Sequence, residues 1–197
     1  MADMLVEDKL LTLDELLVMS RSQHVEIIDG ELIEMGGAGI LHALIGANIF
    51  RLIDPYLQAH DIGVALAGGA IFLMYSPAAR LKDSFSPDVA FLRHENVPAD
   101  WDAEQPHPGV PNLAVEIVSP GNEASSIQYK RMTYLEKGSE QVWLVYPRLR
   151  EVHVYTPNNV TIYKGDTAVD AAAVFPGIAP LPLRAIFKLP AWAQPKE

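Results

Sequence analysis

Apolar residues recur along this chain at two spacings, and the changes from one to the other mark the elements. Between Leu41 and His60, Leu44, Ile45, Ile49, Leu52, Ile53 and Leu57 fall at i, i+3 and i+4 intervals. That spacing predicts an amphipathic helix, bent near Pro55, with His42 in its first turn. A shorter helical pattern, Leu13, Leu16, Leu17 and Met19, lies within Thr12 to Arg21, with Thr12 or Asp14 as a cap. Val25-Glu-Ile-Ile and Leu32-Ile-Glu-Met flank Asp29-Gly30, a dipeptide suited to a two-residue hairpin turn. Val64 to Met74, Asp88 to Leu92 and Leu113 to Val118 read as strands.

A turn at Ser119 to Asn122, carrying a helix N-cap, leads into a helix that runs to Lys137 and stops at Gly138. The next strand is Gln141 to Tyr146, so strand, helix and strand form a βαβ unit with parallel strands. Glu151 to Tyr155 and Val160 to Tyr163, joined around Pro157 to Asn159, make an antiparallel hairpin. The Pro-rich segments His94 to Pro111 and Pro176 to Pro182 read as connecting loops. The expected fold is α/β (α+β), a mixed sheet flanked by helices with an N-terminal hairpin extension. Residues 1–197 are expected to form one domain.

Glu116 is the oddity in this pattern, a carboxylate inside the apolar run Leu113-Ala-Val-Glu-Ile-Val. Burial strips its hydration, which is costly unless a cation or hydrogen-bond donors compensate. A second carboxylate, Asp88, opens another strand after Pro87. Two carboxylates, a main-chain carbonyl and water suit hard ions such as Mg²⁺ or Mn²⁺. On the following helix Lys130 shares a face with Ile127 and Tyr134, and the βαβ crossover brings that face over Glu116. There its ammonium would orient water and offset charge developing on a phosphate. The same residues also allow a structural reading, in which Asp88 caps a turn, Glu116 pairs with Lys130 as a salt bridge and Tyr134 is a core aromatic. A histidine such as His42 is more often a cap or surface group than a ligand. Glu26, Glu31 and Glu34 alternate with apolar residues and read as the solvent face of the hairpin, with Glu31, beside the turn, the harder to dismiss.

Composition narrows the chemistry. With no cysteine there is no disulfide framework, thiolate metal site or cysteine nucleophile, so any metal must be held by oxygen or imidazole. Charges interrupt the apolar stretches before they reach a membrane span, and Met1 to Asp8 lacks the basic start of a signal peptide. A cytoplasmic protein is expected. The net charge of −10 argues against a broad phosphate-binding surface, although 15 Lys and Arg residues leave room for a local basic patch. Neither a Gly-x-Ser-x-Gly elbow nor a His-Glu-x-x-His motif occurs, which disfavours a small-molecule hydrolase.

The order and spacing of several segments together are specific. They are Val25 to Met35, His42 opening a helix, Ser86-Pro-Asp-Val-Ala, Leu113 to Pro120, Lys130 with Tyr134, Gln141 to Val145 and Phe175-Pro-Gly. Over most of its length the chain resembles the Uma-type restriction endonucleases of the PD-(D/E)XK nuclease superfamily. The resemblance implies a restriction-endonuclease-like core and Mg²⁺- or Mn²⁺-dependent hydrolysis of DNA. It implies Asp88 and Glu116 as acidic ligands, the main-chain carbonyl of Ile117 as a third, and His42, Glu31 and Tyr134 as supporting or substrate groups. The superfamily lysine usually lies two positions after the glutamate, where this chain has Val118, and Lys130 on the helix takes its place. Ser126 stands where the family often has an acidic residue. The rival reading is a non-catalytic nucleic-acid or protein-binding module that retains the fold. Two copies of the chain, as a homodimer, would be needed to cut both strands of a duplex together.

Overall fold

A computed structural model of the chain describes residues 11–20, 23–37, 39–76, 81–119, 121 and 123–194. The first helix, α1 (Leu13–Ser20), is held at its start by a capping box. The Glu15 amide donates to Thr12 Oγ1 and the Thr12 amide donates back to Glu15 Oε2. Strands β1 (Val25–Ile28) and β2 (Glu31–Glu34) form the expected hairpin. Asp29 and Gly30 both carry positive φ, 52° and 85°, as a primed two-residue turn requires. Helix α2 (Ile40–Ala59) follows, 20 residues long with Pro55 inside it. By length and composition alone α2 is long and apolar enough to cross a membrane, despite Arg51 and Asp54. Its stripe Ile45, Ile49, Ile53 and Leu57 is instead buried against a sheet.

The segment expected as one strand from Val64 to Met74 is two, β3 (Gly63–Leu66) and β4 (Phe72–Tyr75). Gly68 and Gly69, at φ 67° and 75°, turn the chain between them, and the strands join different sheets. After β5 (Leu81–Phe85) and β6 (Val89–Arg93) the expected loop contains a short strand, β7 (His107–Pro108), parallel to β4. Strand β8 (Leu113–Ile117), helix α3 (Ala124–Glu136) and strand β9 (Gln141–Tyr146) form the βαβ unit, with β8 and β9 parallel. Gly138, at φ 113°, ends α3, and the Ser139 amide closes the turn on the Tyr134 carbonyl. Glu123 occupies the N-cap position of α3 without a side-chain cap bond, and Asn122 lies outside the described residues. The chain closes with β10 (Glu151–Thr156), β11 (Asn159–Tyr163), β12 (Ala168–Val169), β13 (Leu181–Pro182) and α4 (Leu183–Ile186).

One sheet has the order β2-β1-β5-β4-β7 and a second β11-β10-β9-β8-β6-β3, both mixed, while β12 and β13 pair antiparallel as a small third sheet. Alternation along β8 sorts its side chains. Leu113, Val115 and Ile117 pack with the α2 stripe, while Ala114 joins Tyr134 of α3 and Met74 and Phe85 of the first sheet. Glu116, two residues beyond Ala114, therefore faces the space between α3 and the first sheet. On the far side of that sheet Val25 and Ile27 of β1 pack with Leu16 of α1. Both faces of β1 are thus covered, which places Glu26 inside the molecule.

Candidate active site

Asp88 immediately precedes β6, and its amide donates to the Val115 carbonyl at 3.0 Å. Its Oδ2 accepts the Ile117 amide at 2.7 Å, tying the carboxylate to the end of β8 beside Glu116. Oδ1 lies 2.6 Å from His42 Nε2, an ion-pair contact by distance though not aligned as a hydrogen bond. The other ring nitrogen of His42 is 3.0 Å from Ser119 Oγ, so the first turn of α2 links Asp88 to the loop after β8. Gly46, one turn along α2, faces the same strand end, where a Cβ would make ordinary contacts of 3.4 Å to Ile117 Cδ1 and 4.0 Å to the Asp88 carbonyl.

Glu116 Oε1 receives Lys130 Nζ at 2.8 Å and the Tyr134 hydroxyl at 3.0 Å. Lys130 and Tyr134 are one turn apart on α3 and both are buried, so a single helix face presents two donors to one oxygen. Lys130 also lies 3.0 Å from Glu26 Oε1, which accepts the Ser86 amide at 2.8 Å. Glu26 is 1% exposed, and its Oε2 has no hydrogen-bond partner among the described residues. A cavity of about 480 Å³ opens over the group, lined by Glu26, His42, Asp88, Glu116, Ile117 and Lys130 among others.

Three carboxylates thus surround one ammonium and one imidazole. Burial raises the Glu116 carboxyl, Lys130 draws it down, and Glu26 and Asp88 push it up again, to about 7. Burial also works against the Lys130 ammonium, but Glu116 and Glu26 outweigh it and raise its pKa above the ordinary lysine value. Burial, followed by the same carboxylates, raises the Tyr134 phenol well above its usual value, so its hydroxyl stays a donor.

This surplus of negative charge, the orphaned Glu26 oxygen and the hard-oxygen donors fit a divalent cation. Among the described residues no group of three or more His, Asp or Glu side chains is arranged as a ready-made metal cage. A cation would therefore rest on Asp88 and Glu116, with main-chain oxygen and water completing its shell.

Asp88, Glu116, Ile117, Lys130, His42 and Tyr134 converge as the sequence suggests, and Ser126 and Val118 line the same cavity. Glu31 does not converge. It is exposed at the turn end of β2 and does not line the cavity, which Ile33 and Glu34 at the other end of that strand reach. Glu26, expected on the solvent face of the hairpin, is instead inside the group. The signal was present: Val25-Glu-Ile-Ile embeds a carboxylate among apolar residues just as Ala114-Val-Glu-Ile does.

The family model described as "Uma2: Putative restriction endonuclease" matches residues 9–184. A search of curated proteins finds no match. A solved structure described as "a putative nuclease belonging to DUF820", from Anabaena variabilis ATCC 29413, has the same fold. It superposes with a TM-score of 0.74 at 20% identity, covering 90% of this chain and 97% of that one.

Proposed function

Because the chain belongs to the Uma2 restriction-endonuclease family, we propose that it is a divalent-metal-dependent endonuclease that hydrolyses DNA phosphodiester bonds at the Asp88–Glu116–Lys130 centre. The observation that supports this most is the convergence of Asp88, Glu116 and Lys130 on one open cavity, with more negative charge than the protein itself balances.

Asp88, Glu116 and the Ile117 carbonyl would hold Mg²⁺ or Mn²⁺, which when bound supplies Lewis-acid stabilisation of the phosphate and an acidified water. The protein's own groups do the rest. The Ile117 amide and His42 fix Asp88 from two sides. Tyr134 and Lys130 fix Glu116 through Oε1. Lys130, held charged between two carboxylates, is a fixed positive charge that offsets the charge developing on a phosphate in the cavity. One centre cuts one strand at a time, so cutting both strands of a duplex at once calls for two copies of the chain.

The test is nicking of supercoiled plasmid with Mg²⁺ or Mn²⁺, comparing wild type with Asp88→Asn, Glu116→Gln and Lys130→Met. Metal-dependent nicking lost in all three supports the reading. Equal nicking in the variants, or none in the wild type with either ion, sinks it.

A further inference from the structure

Glu26 belongs to none of the three central groups, yet it is the most enclosed carboxylate of the centre. Its two oxygens differ in what they meet. Oε1 is occupied by the Lys130 ammonium at 3.0 Å and the Ser86 amide at 2.8 Å, which fix the side chain from the helix and from the strand connection. Oε2 is buried, has no partner among the described residues, and belongs to a side chain lining the cavity that holds Asp88 and Glu116. A buried carboxylate oxygen without a donor costs free energy, so its retention beside an open cavity points to a donor that arrives from the cavity. Lys130 is ill placed to accept a proton, because its ammonium is clamped between Glu26 and Glu116.

Resting on the nuclease reading above, we infer that Glu26 is a fourth residue of the centre. Its Oε1 positions Lys130, and its Oε2 accepts the proton of the attacking water. As the water oxygen bonds to phosphorus, its proton passes to Oε2. The bond from phosphorus to the leaving oxygen breaks, and solvent protonates that oxygen. Glu26→Gln keeps the shape and a carbonyl oxygen for the Ser86 amide, but removes the proton acceptor. It is expected to lower kcat by ~10²-fold or more with KM for DNA unchanged. Glu26→Ala leaves a space, so added formate is expected to restore rate in proportion to its concentration.

A measurement on metal-free protein tests the positioning role without any activity. Lys130 labelling by an amine-reactive reagent, followed by mass spectrometry, is expected to rise several-fold in Glu26→Gln over wild type. An active wild type with Glu26→Gln within threefold of its rate overturns the inference and leaves the nuclease reading intact. Loss of rate without formate rescue of a folded Glu26→Ala overturns the proton-accepting role. Unchanged Lys130 labelling overturns the positioning role. A wild type inactive with every divalent cation sinks the nuclease reading, and the proton transfer with it.

Discussion

Replacing Lys130 with Met removes the positive charge from the centre while keeping most of the side-chain volume. The ammonium lies 2.8 Å from Glu116 Oε1 and 3.0 Å from Glu26 Oε1, and Glu26 is 1% exposed. Without it, one of these carboxylates must stay buried and charged or take up a proton. Removing one partner of a buried pair costs ~3–5 kcal/mol. For a chain of this size that is a fall in Tm of roughly 6–20 °C. The assay is thermal and urea unfolding in EDTA, so that no cation takes the ammonium's place. The double variant Lys130→Met/Glu26→Gln should recover part of the loss, because the surplus carboxylate is gone, with a coupling energy of ~0.5–3 kcal/mol. A single variant within ~1 kcal/mol of wild type, or no coupling, would refute a buried Glu26–Lys130–Glu116 cluster.

Three further outcomes follow from other parts of the molecule. Arg93 makes a two-pronged bond to Glu140, at 2.6 and 2.9 Å, and Asn112 adds a third donor. Burial opposes the Glu140 charge, but Arg93 and Asn112 prevail and hold its carboxyl below the ordinary value of 4.5. Its stabilising effect is therefore present above that pH and lost as pH falls through the folded-state value, so wild-type stability should drop more steeply on acidification than that of Glu140→Gln, as acid titration followed by circular dichroism would record. At Gly63 a Cβ would collide with the Leu92 carbonyl and stand only 2.9 Å from Arg93 Cα, so Gly63→Ala should cost ~2 kcal/mol or more in urea unfolding by forcing β3 off β6. His42→Ala, which frees one side of Asp88, should weaken Mn²⁺ binding by ~10–100-fold in titration calorimetry, and unchanged affinity would remove His42 from the centre.

Much of the fold was legible because local signals agreed with the tertiary outcome. The Asp29-Gly30 turn, the α2 stripe and the Gly138 stop each carry their cause within a few residues. The break between β3 and β4 was not legible, because Val64 to Met74 is almost uniformly apolar and only the left-handed conformations of Gly68 and Gly69 divide it. The strand β7 was hidden for a different reason. Its two residues owe their conformation to pairing with β4, more than thirty residues earlier, and no periodicity can show in so short a piece.

The site divides along the same line. Glu116 and Lys130 were legible because each is locally anomalous, a carboxylate in an apolar strand and a lysine on the packed face of a helix. Glu26 carries the same anomaly as Glu116, but its neighbours Glu31 and Glu34 completed an alternation that looked solvent-facing. That pattern holds only while one face of a hairpin meets water. Here α1 covers one face of β1 and α3, with the second sheet, covers the other, so the same glutamate lies in the interior. Whether a strand has one open face or none is set by elements distant in sequence, so the hairpin's own residues do not single out Glu26 over Glu31. A carboxylate flanked on both sides by β-branched residues is thus a better guide to this centre than alternation across the hairpin, and it selects Glu26 and Glu116 together.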